Sequence, residues 1–422
     1  MQRHLWQYLS IRILVGWLVV SILPALVLFG EYIATDNILL TQFNSVIASS
    51  VAIILTLIGL DRLTQFPGQK SMVTVLPTLL GMGLIVGLTL LIFRLPYSVY
   101  YLVFSASLGV VFCFISQIIL RAVTQIVIGY VPVGRCHDLL NINNVRWVEL
   151  TEGFELIENQ RLPFNAVVAD LADNRLSVAW ERLLAETALR GVPVYNVLQV
   201  QESLTGRLPI KHLYENNLGS LLPSQSYLLI KRVMDTAVII ISAPIVIPIA
   251  LLVALGIKWE SRDSGDAVIF TQQRIGQGGK LFTMYKFRSM VSSSEEEGAK
   301  MASEVDMRVT KFGCFIRKTR LDELPQFINV LKGEMSLIGP RPEQLSFVEQ
   351  FNETIPFYRY RHIVKPGISG WAQVMHGYAS DEDETKVKLE HDFFYIKNFS
   401  LTLDLLIVIK TIQTMVTGFG AR

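Results

Sequence analysis

The sequence predicts a membrane protein of mixed α/β architecture in three parts. They are a four-helix transmembrane bundle over residues 1–122, a small Rossmann-like α/β domain over 123–225, and an α/β domain over 226–422 whose first segment, 231–257, is a re-entrant membrane helix. Two observations support this prediction. Apolar residues make up 51% of the 422 residues and charged residues only 18%, which is too apolar for an ordinary water-soluble protein. The apolar residues also cluster in long uncharged stretches separated by polar segments.

Four apolar stretches without a charged residue occupy most of the N-terminal quarter of the chain. Each is close to the roughly 20 residues that a helix needs to cross the hydrocarbon core of a bilayer. The four predicted spans are Ile13–Gly30, Asn37–Leu60, Ser71–Phe93 and Leu95–Leu120. Because three further spans follow the first at once, a cleaved signal peptide is disfavoured.

Basic residues mark alternate loops between these spans. Arg3 and Arg12 precede the first span, and basic pairs also follow the second span and the fourth, namely Arg62, Lys70, Arg121 and Arg135. By the positive-inside rule, the N-terminus and everything after the fourth span lie in the cytoplasm. We therefore expect a multi-pass membrane protein whose C-terminal part is cytoplasmic.

The segment after the spans has the pattern of a small parallel α/β unit. Strand candidates at Val145–Leu150, Ala166–Leu171 and Val192–Leu198 alternate with a helix candidate at Trp180–Arg190. The turn Val131-Pro-Val-Gly-Arg135 has one glycine where a dinucleotide fingerprint has three, so cofactor binding is disfavoured. A regulatory, spacing or dimerising role suits this domain better.

A fifth apolar segment, Thr236–Ile257, is again long enough to span a membrane. Pro244 and Pro248 lie in its middle, where each removes a helical hydrogen bond and favours a kink or break. Its flanks are basic at both ends and show no asymmetry; they carry Lys231, Arg232, Lys258 and Arg262. These features predict a re-entrant helical hairpin that enters and leaves by the cytoplasmic face. A kinked fifth span is the alternative.

The remainder of the chain has the composition of a globular domain. It includes a glycine-rich turn at Arg274–Gly279 and an acidic run at Ser292–Glu297. The last apolar stretch, Leu401–Val416, is short for a membrane span and contains Asp404 and Lys410. It is predicted to be an amphipathic helix that lies on the membrane or on the core of the domain.

Two adjacent carboxylates, Asp322 and Glu323, follow the three cations Arg317, Lys318 and Arg320. Adjacent residues of a helix face different directions, so the two acids are suited to different roles rather than to sharing one proton. A carboxylate can attack phosphorus and form an acyl-phosphate intermediate. Neighbouring cations, and Mg²⁺, would reduce the repulsion between this nucleophile and an anionic phosphate substrate. Taken alone, such a pattern is more often a solvated helix face with local ion pairs.

Three further segments carry residues that are suited to phosphate binding. They are Tyr285-Lys-Phe-Arg-Ser-Met290 with Lys286 and Arg288, Gly339-Pro-Arg-Pro342 with Arg341, and Lys365-Pro-Gly-Ile-Ser-Gly-Trp-Ala-Gln373 with Lys365 and Gln373. A guanidinium held between two prolines can make bidentate contacts with phosphate, and glycine amides can approach an anion closely. Beside a membrane hairpin, these segments indicate an interfacial site for a polyanionic substrate.

Composition argues against several other kinds of site. The formal net charge of +2 gives no reason to expect nucleic acid as a partner. Cys113, Cys136 and Cys314 are scattered, without the spacing of a disulfide framework or a zinc site. The histidines, among them His362, His376 and His391, lack metal-binding spacing and are predicted to be structural.

Five motifs, in their order and spacing, resemble the monotopic phosphoglycosyl transferases, the bacterial sugar transferases that begin exopolysaccharide, capsule and O-antigen repeat units. To the three phosphate-binding segments above they add Lys231-Arg-x-x-Asp235 and Leu321-Asp-Glu-Leu-Pro-Gln326. The resemblance covers Tyr227–Arg422. The leading spans and the α/β segment are similar to the large subgroup, which includes undecaprenyl-phosphate glucose and galactose phosphotransferases.

The resemblance implies a bacterial inner-membrane enzyme in which Asp322 takes a hexose 1-phosphate from a UDP-sugar and expels UMP, with Glu323 as its partner. Undecaprenyl phosphate is then the implied acceptor, and Mg²⁺ is the implied cofactor, with Asp322 near it. The implied substrate-binding residues are Lys286, Arg288, Arg317, Arg341, Lys365 and Gln373. The implied hairpin residues in contact with membrane lipid are Lys231, Arg232, Asp235, Pro244 and Pro248.

This chain departs from the family pattern at one point of the hairpin. Many family members break the hairpin at a Ser-Pro pair, whereas Ile247 precedes Pro248 here, which leaves the position of the bend unsettled. Asp392 occupies an acidic position of the family. The identity of the sugar is open, and a homodimer is compatible with the large subgroup although no feature of the sequence demonstrates one.

Two other functions are compatible with the sequence. A glycosyltransferase that releases UDP would need a metal-binding DxD motif, for which Asp381–Glu384 is the candidate, although a solvated acidic loop suits that stretch better. A membrane scaffold for polysaccharide assembly would need no catalytic residue.

Overall fold

The computed structural model describes residues 5–34, 39–63, 72, 74–123, 127–142, 145–152, 163–210, 222–223, 225–261, 267–291, 308–376 and 382–417. The acidic run at Ser292–Glu297 and residue Asp381 lie outside the described residues. The chain forms two compact units, Met1–Thr205 and Gly206–Arg422. The second unit therefore starts upstream of residue 226, and its first residues are tied to its C-terminal part because the Leu208 amide donates to the Glu390 carbonyl.

Long apolar helices form the first part of the N-terminal unit. They are α1 (Leu9–Trp17), α2 (Leu23–Ala34), α3 (Leu40–Leu63), α4 (Val75–Ile92) and α5 (Val99–Val123). Within the described residues, five helical stretches are long and apolar enough to cross a membrane: Leu9–Gly30, Leu40–Leu63, Val75–Ile92, Val99–Val123 and Ser226–Glu260. The first four agree with the predicted spans, and together the five support the prediction of a membrane protein with an α/β part.

Helices α1 and α2 are joined by a π-helical turn at Leu18–Ile22, which ends two residues before Pro24. Proline has no amide hydrogen, and its ring clashes with the carbonyl one turn earlier. A wider turn before the proline moves that carbonyl aside, which is how π-bulges commonly arise in helices. The predicted first span therefore stays helical through Pro24.

The interior of the helical bundle combines apolar side chains with small polar ones. Leu57, Leu60 and Phe112 are buried together, and the buried hydroxyl of Tyr101 donates to the Ser21 carbonyl and contacts Ser49 Oγ at 2.8 Å. Small and hydroxyl-bearing residues allow helices to approach closely in an apolar environment and supply interhelical hydrogen bonds.

A parallel four-stranded sheet follows in the same unit. Its strands are β1 (Val127–Tyr130), β2 (Arg146–Glu149), β3 (Ala166–Ala169) and β4 (Val194–Asn196), in the order β2-β1-β3-β4. Helices α6 (Val178–Leu189) and α7 (Val197–Thr205) belong to the same part. This order is that of flavodoxin-type doubly wound sheets rather than the 3-2-1-4 order of the Rossmann fold. Strand β1 was not among the predicted strands.

The glycine turn after β1 is filled by a carboxylate of the protein itself. Gly134 has a φ of 68°, and a β-carbon there would lie 2.6 Å from Asp170 Oδ2. Asp170 accepts hydrogen bonds from the Arg135 backbone amide at 3.1 Å and from Arg135 Nε at 3.0 Å. Because an acidic side chain occupies the turn where a phosphate would bind, the structure agrees with the expectation that this turn holds no dinucleotide.

The C-terminal unit begins with one long helix, α8 (Gln225–Glu260), and continues with short strands and helices. The strands are β5 (Ile269–Ile275), β6 (Leu281–Phe287), β7 (Ser336–Ile338) and β8 (Gly367–Ser369). The helices are α9 (Lys311–Lys318), α10 (Gln326–Lys332), α11 (Leu345–Thr354), α12 (Trp371–Met375), α13 (Glu382–Lys397) and α14 (Leu401–Thr417). Strands β5 and β6 form an antiparallel hairpin, and β7 pairs with β8 in parallel.

Helix α8 keeps its helical backbone through Pro244 and Pro248. Both of its ends contact the same globular part of the unit: Asp235 Oδ2 accepts from Ser336 Oγ at 2.5 Å, and Glu260 Oε1 accepts from the Phe312 amide at 2.9 Å. The middle of α8 makes fewer such contacts. Successive residues of a helix face different directions, yet Ile240 and Ile241 are 62% and 74% exposed. The middle of α8 therefore projects away from the rest of this unit.

The N-terminal end of α8 is joined to α14 by a buried polar cluster around Asp404. Lys231 Nζ lies 2.5 Å from Asp404 Oδ2, which also accepts from the Tyr227 hydroxyl at 2.7 Å. The Tyr395 hydroxyl donates to Asp404 Oδ1 at 2.8 Å. We refer to these four residues as the Asp404 cluster. Helix α14 buries Leu403, Leu406 and Ile407 on one face, so the predicted amphipathic helix at Leu401–Val416 is present and packs on the core of its unit.

Candidate active site

The predicted carboxylate pair lies in a single 3₁₀ turn, Leu321–Glu323, between α9 and α10. Arg320, which precedes the turn, has a left-handed backbone with a φ of 58°. A non-glycine residue in this region costs on the order of 1 kcal/mol or more and is held there by its surroundings. The change of direction at Arg320 turns Asp322 and Glu323 inward, where they are only 9% and 5% exposed.

Glu323 is held by three cations. Its Oε1 atom accepts a hydrogen bond from Arg341 Nη1 at 3.1 Å and lies 3.7 Å from both Lys286 Nζ and Arg320 Nη1. Burial alone would raise the pKa of this carboxyl, but Arg341, Lys286 and Arg320 outweigh burial and hold the pKa below its ordinary value. Glu323 is therefore an anion that fixes the cations around it.

Asp322, the neighbour of Glu323, differs from it in hydrogen bonding and in the direction of its pKa shift. Among the residues that the structure describes, none forms a hydrogen bond with the buried Oδ1 atom of Asp322. Burial and, to a smaller extent, the negative charge of Glu323 raise the pKa of the Asp322 carboxyl, against the opposing effects of Lys286, Arg341 and Arg317. A buried carboxylate oxygen without a donor is costly for folding and is available to react.

Lys286 and Arg341 reach this pair from separate parts of the fold. Lys286 lies on β6, and Arg341 lies in the turn after β7. Burial, the neighbouring Arg341 and other charges lower the pKa of Lys286 to about 8. The site thus concentrates positive charge next to two carboxylates, which is the arrangement needed to receive a polyphosphate anion.

The other predicted substrate-binding residues differ in their placement. Arg317 lies on α9, close enough to influence the charge of Asp322. Arg288 donates from Nε to the Ala267 carbonyl at 2.8 Å, and Lys365 is influenced by Arg232 and Asp235. Arg317 therefore lies near the carboxylate pair, Arg288 contacts the segment before β5, and Lys365 lies near Arg232 and Asp235.

Gln373 lies on α12, behind the glycine turn that follows β8. A β-carbon on Gly370 would lie 3.4 Å from Gln373 Oε1. Among the described residues no donor hydrogen-bonds this buried oxygen. The contacts of Gln373 therefore do not connect it with Asp322 or Glu323, and its role in binding substrate stays a prediction.

The motifs around Arg341 and Lys365 form one backbone unit. The Gly339 amide donates to the Ser369 carbonyl at 2.9 Å, and the Gly367 amide donates to the Pro340 carbonyl at 2.9 Å. A β-carbon on Gly367 would overlap the Gly339 backbone nitrogen. Glycine is required at these positions because the two chains approach too closely for a side chain.

Arg361, which belongs to none of the sequence motifs, supports the Arg341 turn from behind. It is 4% exposed, donates from Nη2 to the Arg341 carbonyl at 3.0 Å, and pairs with Asp392 at 2.8 Å. Glu343 lies 2.7 Å from Lys388 Nζ and 3.9 Å from Arg361. Asp392 thus acts through Arg361, and its contacts indicate a positioning role. Adjacency to the Arg341 motif is the only signal in the sequence that points to Glu343.

Few of the described residues could act as ligands of the predicted magnesium ion. Among the described residues there is no group of three or more histidine, cysteine, aspartate or glutamate side chains that could hold a metal ion. Mg²⁺ commonly uses one or two carboxylates together with substrate phosphates and water. The Asp322 carboxylate could supply one ligand to that kind of site, whereas the cations around Glu323 disfavour a metal ligand there.

The histidines and cysteines have structural surroundings where they are described. His391 Nδ1 lies 2.9 Å from the Gly206 carbonyl, and its ring stacks on His376 with the centroids 6.2 Å apart. Cys113, Cys136 and Cys314 are free thiols. His376 and His391 therefore contact other groups of the protein, and the three cysteines are unpaired.

Comparison with known proteins identifies the family. The model of the family described as "Bacterial sugar transferase" matches residues 226–418. The chain is 48% identical over 412 residues to an Aeromonas hydrophila protein named UDP-N-acetylgalactosamine-undecaprenyl-phosphate N-acetylgalactosaminephosphotransferase, covering 96% of this chain and 94% of the relative. It is also 36% identical over 249 residues to the Escherichia coli UDP-glucose:undecaprenyl-phosphate glucose-1-phosphate transferase, covering 58% of this chain and 50% of the relative. This chain therefore belongs to the bacterial sugar transferase family, the sugar-phosphate transferases that its motifs resemble.

Proposed function

We propose that this enzyme transfers a hexose 1-phosphate from a UDP-sugar to undecaprenyl phosphate through a phosphosugar intermediate on Asp322, and so begins a polysaccharide repeat unit. The observation that carries the proposal is the difference within the carboxylate pair. Asp322 Oδ1 is buried and unpartnered in the described structure, whereas Glu323 is held by Arg341, Lys286 and Arg320. The printed names of the relatives support both the acceptor and the class of donor.

In the first half of the reaction, Asp322 Oδ1 attacks the sugar-bearing phosphorus of the donor. The new bond joins Oδ1 to phosphorus, and the bond from that phosphorus to the bridging oxygen breaks. UMP leaves with the electron pair of the broken bond. Because the product on Asp322 is an acyl phosphate, the transferred group stays activated for the second half.

In the second half, an oxygen of undecaprenyl phosphate attacks the same phosphorus. The bond between phosphorus and Asp322 breaks, its electron pair returns to the carboxylate, and undecaprenyl-diphospho-sugar is released. One carboxylate that acts twice divides a single difficult transfer into two easier displacements.

The surrounding cations address the main obstacle, which is the repulsion between an anionic nucleophile and an anionic diphosphate. Lys286, Arg341 and Arg317 would neutralise phosphate oxygens, while Glu323 fixes Lys286 and Arg341 in position. Mg²⁺, with Asp322 as its protein ligand, would supply additional neutralisation of the diphosphate.

For the donor, the proposal favours UDP-N-acetylgalactosamine. Support comes from the Aeromonas hydrophila relative, whose name specifies this sugar and whose similarity extends over 96% of the present chain. The E. coli relative named for glucose covers 58% of this chain. Similarity that includes the N-terminal unit as well as the catalytic part favours the first donor over UDP-glucose.

For the membrane, the proposal is that four spans anchor residues 1–122 in the bacterial inner membrane and that α8 enters and leaves by the cytoplasmic face. Support comes from both ends of α8, which contact one globular part through Asp235 and Glu260 while the middle is exposed. A helix that crossed completely would place its two ends on opposite sides of the bilayer. Residues 226–422 would then form the cytoplasmic catalytic part, where UDP-sugars are available, and 123–225 an accessory domain.

The experiment that tests this function uses the purified full-length chain in lipid nanodiscs. It is incubated with Mg²⁺, undecaprenyl phosphate and, in separate reactions, UDP-N-acetylgalactosamine, UDP-galactose, UDP-N-acetylglucosamine and UDP-glucose. We expect UMP release that is fastest with UDP-N-acetylgalactosamine, and a phosphosugar adduct on the peptide that contains Asp322. Release of UDP in place of UMP, or an adduct elsewhere, would contradict the mechanism.

A further inference from the structure

A second concentration of positive charge lies near the start of α8. Arg232 donates from Nη1 to the Val330 carbonyl and from Nη2 to the Leu331 carbonyl, the latter at 2.7 Å. These carbonyls belong to the last turn of α10, where the Gly333 amide also donates to the Val330 carbonyl at 3.0 Å. Arg232 therefore both caps α10 and has its guanidinium fixed at one place beside α8.

Lys365 shares this place with Arg232. Gly333, which ends α10, has a φ of 86°, and a β-carbon there would lie 3.4 Å from Arg232 Nη2 and 3.7 Å from Lys365 Nζ. The two cationic nitrogens therefore face the same small space, which the missing side chain of Gly333 leaves open. A residue with a β-carbon would fill that space and would be strained in this backbone conformation.

The local charge is not balanced by the surrounding protein. Burial, and next the charge of Arg232, lower the pKa of the Lys365 ammonium. Among the described residues, Lys365 Nζ forms no hydrogen bond or ion pair. Asp235 is the carboxylate that acts on Lys365, but it is 7% exposed and already accepts from Ser336 at 2.5 Å. Two cations beside one committed carboxylate leave an excess of positive charge, which a bound anion would relieve.

The charges that act on this pair differ from those at the carboxylate pair. Lys365 is influenced by Arg232 and Asp235. Asp322 is influenced by a separate set of charges, namely Glu323, Lys286, Arg341 and Arg317. The unit therefore has two cationic centres, and a transferase that handles two phosphate-bearing substrates needs a place for each.

We propose that Arg232 and Lys365 bind the phosphate monoester of the lipid acceptor, apart from the cations that receive the diphosphate of the donor. The proposal rests on the proposed function and adds the acceptor site to it. An N⁺–H···O⁻ contact is about 2.8 Å long, so a phosphate in the space beside Gly333 can contact both nitrogens. Val233, the next residue of α8, is 63% exposed and belongs to the apolar surface along which a polyprenyl chain can lie.

The charge of a phosphate monoester suits it to the second displacement. Near neutral pH a phosphate monoester is largely a dianion, so its attacking oxygen needs no general base to remove a proton. That oxygen forms the bond to the phosphorus on Asp322, and the electron pair of the broken bond returns to the Asp322 carboxylate. The positive charge of Arg232 and Lys365 serves to bind the acceptor and is not consumed.

The test separates the two halves of the reaction in full-length protein in phosphatidylcholine nanodiscs. The variants are Lys365→Gln, Arg232→Gln and the charge-retaining Lys365→Arg; Lys280→Gln and Arg359→Gln, at exposed positions, are matched controls. One measurement is the burst of UMP without acceptor, and the other is KM for undecaprenyl phosphate. We expect each glutamine variant to raise this KM by roughly tenfold or more, and Lys365→Arg to raise it less, because a hydrogen bond to a charged group is lost or retained.

Several results would overturn the proposal. An increase in KM for the UDP-sugar in place of the acceptor would assign the pair to the donor, and an unchanged KM for both substrates would make the pair purely structural. Arg232→Gln also removes a helix cap, so Lys365→Gln, which removes no contact within the described protein, decides the matter if the arginine variant unfolds. A wild-type protein that gives no UMP burst would contradict the proposed function itself.

A further experiment distinguishes binding of the acceptor from binding of ordinary membrane lipid, since a phospholipid headgroup also presents a phosphate. Wild-type KM for undecaprenyl phosphate is measured as phosphatidylglycerol replaces phosphatidylcholine. We expect KM to change by less than about twofold, because a phosphodiester carries one negative charge and a monoester up to two. A KM that rises steadily with phosphatidylglycerol would show a general site for anionic lipid and would overturn the assignment to the acceptor.

Discussion

Two buried aspartates of the C-terminal unit have opposite surroundings. Asp404 is 7% exposed and Asp322 is 9% exposed. Both oxygens of Asp404 have donors, with Tyr227 and Lys231 on Oδ2 and Tyr395 on Oδ1. In the part of the chain that the structure describes, Asp322 Oδ1 has none. The neighbour Glu323 takes the contacts with Arg341, Lys286 and Arg320 instead.

This difference separates a carboxylate that stabilises the fold from one that is kept reactive. A buried carboxylate with several donors stabilises its partners, and removing it leaves them unpaired. A buried oxygen without a donor lowers stability, and its lone pairs are free to form a bond. The two aspartates are therefore similarly buried, and they differ in the number of donors that contact them.

The largest expected effect comes from removing the nucleophile. Asp322→Asn should lower the rate of UMP release by about 10³-fold or more, because the first displacement has no attacking oxygen. Its melting temperature should stay equal to that of the wild type or rise, because an unpartnered buried carboxyl is removed. Steady-state UMP release and differential scanning fluorimetry check the two halves of this prediction. A large loss of stability with retained activity would show that Asp322 stabilises the fold and is not the nucleophile.

The Asp404 cluster should show the opposite result. Asp404→Leu should lower the free energy of unfolding by about 3 kcal/mol, because Lys231 is left as a buried charge without its partner. Thermal melting in nanodiscs measures the loss. The matched control is Asp404→Leu combined with Lys231→Met, which removes both charges and should recover much of the stability. A double variant that is no more stable than the single one would contradict the role given to the ion pair.

Glu323→Gln should have an intermediate effect. The amide keeps the shape of the side chain but loses the charge that holds Arg341 and Lys286, so we expect UMP release to fall by about 10²-fold. The same substitution at Glu353, an exposed residue of α11, is the control. Activity within twofold of the wild type would show that Glu323 does not position the cations for catalysis.

The smallest expected effect is the change in the rate of the UMP burst with pH. Because burial and Glu323 raise the pKa of Asp322, its nucleophilic form should be lost at a pH above the ordinary aspartate value of 3.8 as the solution is acidified. Below that raised pKa, the rate of the UMP burst should fall about tenfold per pH unit. The sign for stability is opposite: a raised folded-state pKa means that protonation favours the folded state, and this contribution is lost as pH rises through the folded-state pKa.

The pH profile is checked with a single-turnover burst assay between pH 4 and pH 8. An acid limb centred at or below 3.8 would show that Asp322 titrates as an exposed carboxyl and that its burial has no functional effect. Melting of wild type and Asp322→Asn over the same range should converge toward acid pH, where the wild-type carboxyl is neutral.

The membrane helices and most of the central strands follow from the sequence because their signals are local. A stretch of some 20 apolar residues has few alternatives to a membrane helix, and β2, β3 and β4 fall within Val145–Leu150, Ala166–Leu171 and Val192–Leu198. Strand β1 was missed because its four apolar residues follow closely on α5. A short apolar run of this kind cannot be assigned to helix or strand from periodicity.

The carboxylate pair could be predicted as a motif, but not the division of labour within it. Which acid receives Arg341 and Lys286 depends on the left-handed residue Arg320 and on the pairing of β7 with β8. Such contacts join residues that are distant in the chain, so no local pattern reports them. Arg361, which supports the Arg341 turn, and its pairing with Asp392 could not be predicted for the same reason.

The contact between Gly339 and Gly367 has a mechanical consequence. Since their backbones touch and their amides are tied to Ser369 and Pro340, neither turn can swing outward without carrying the other. The loop that bears Arg341 therefore cannot work as an independent gate for incoming nucleotide. A bulky residue at either glycine would therefore disable both turns at once.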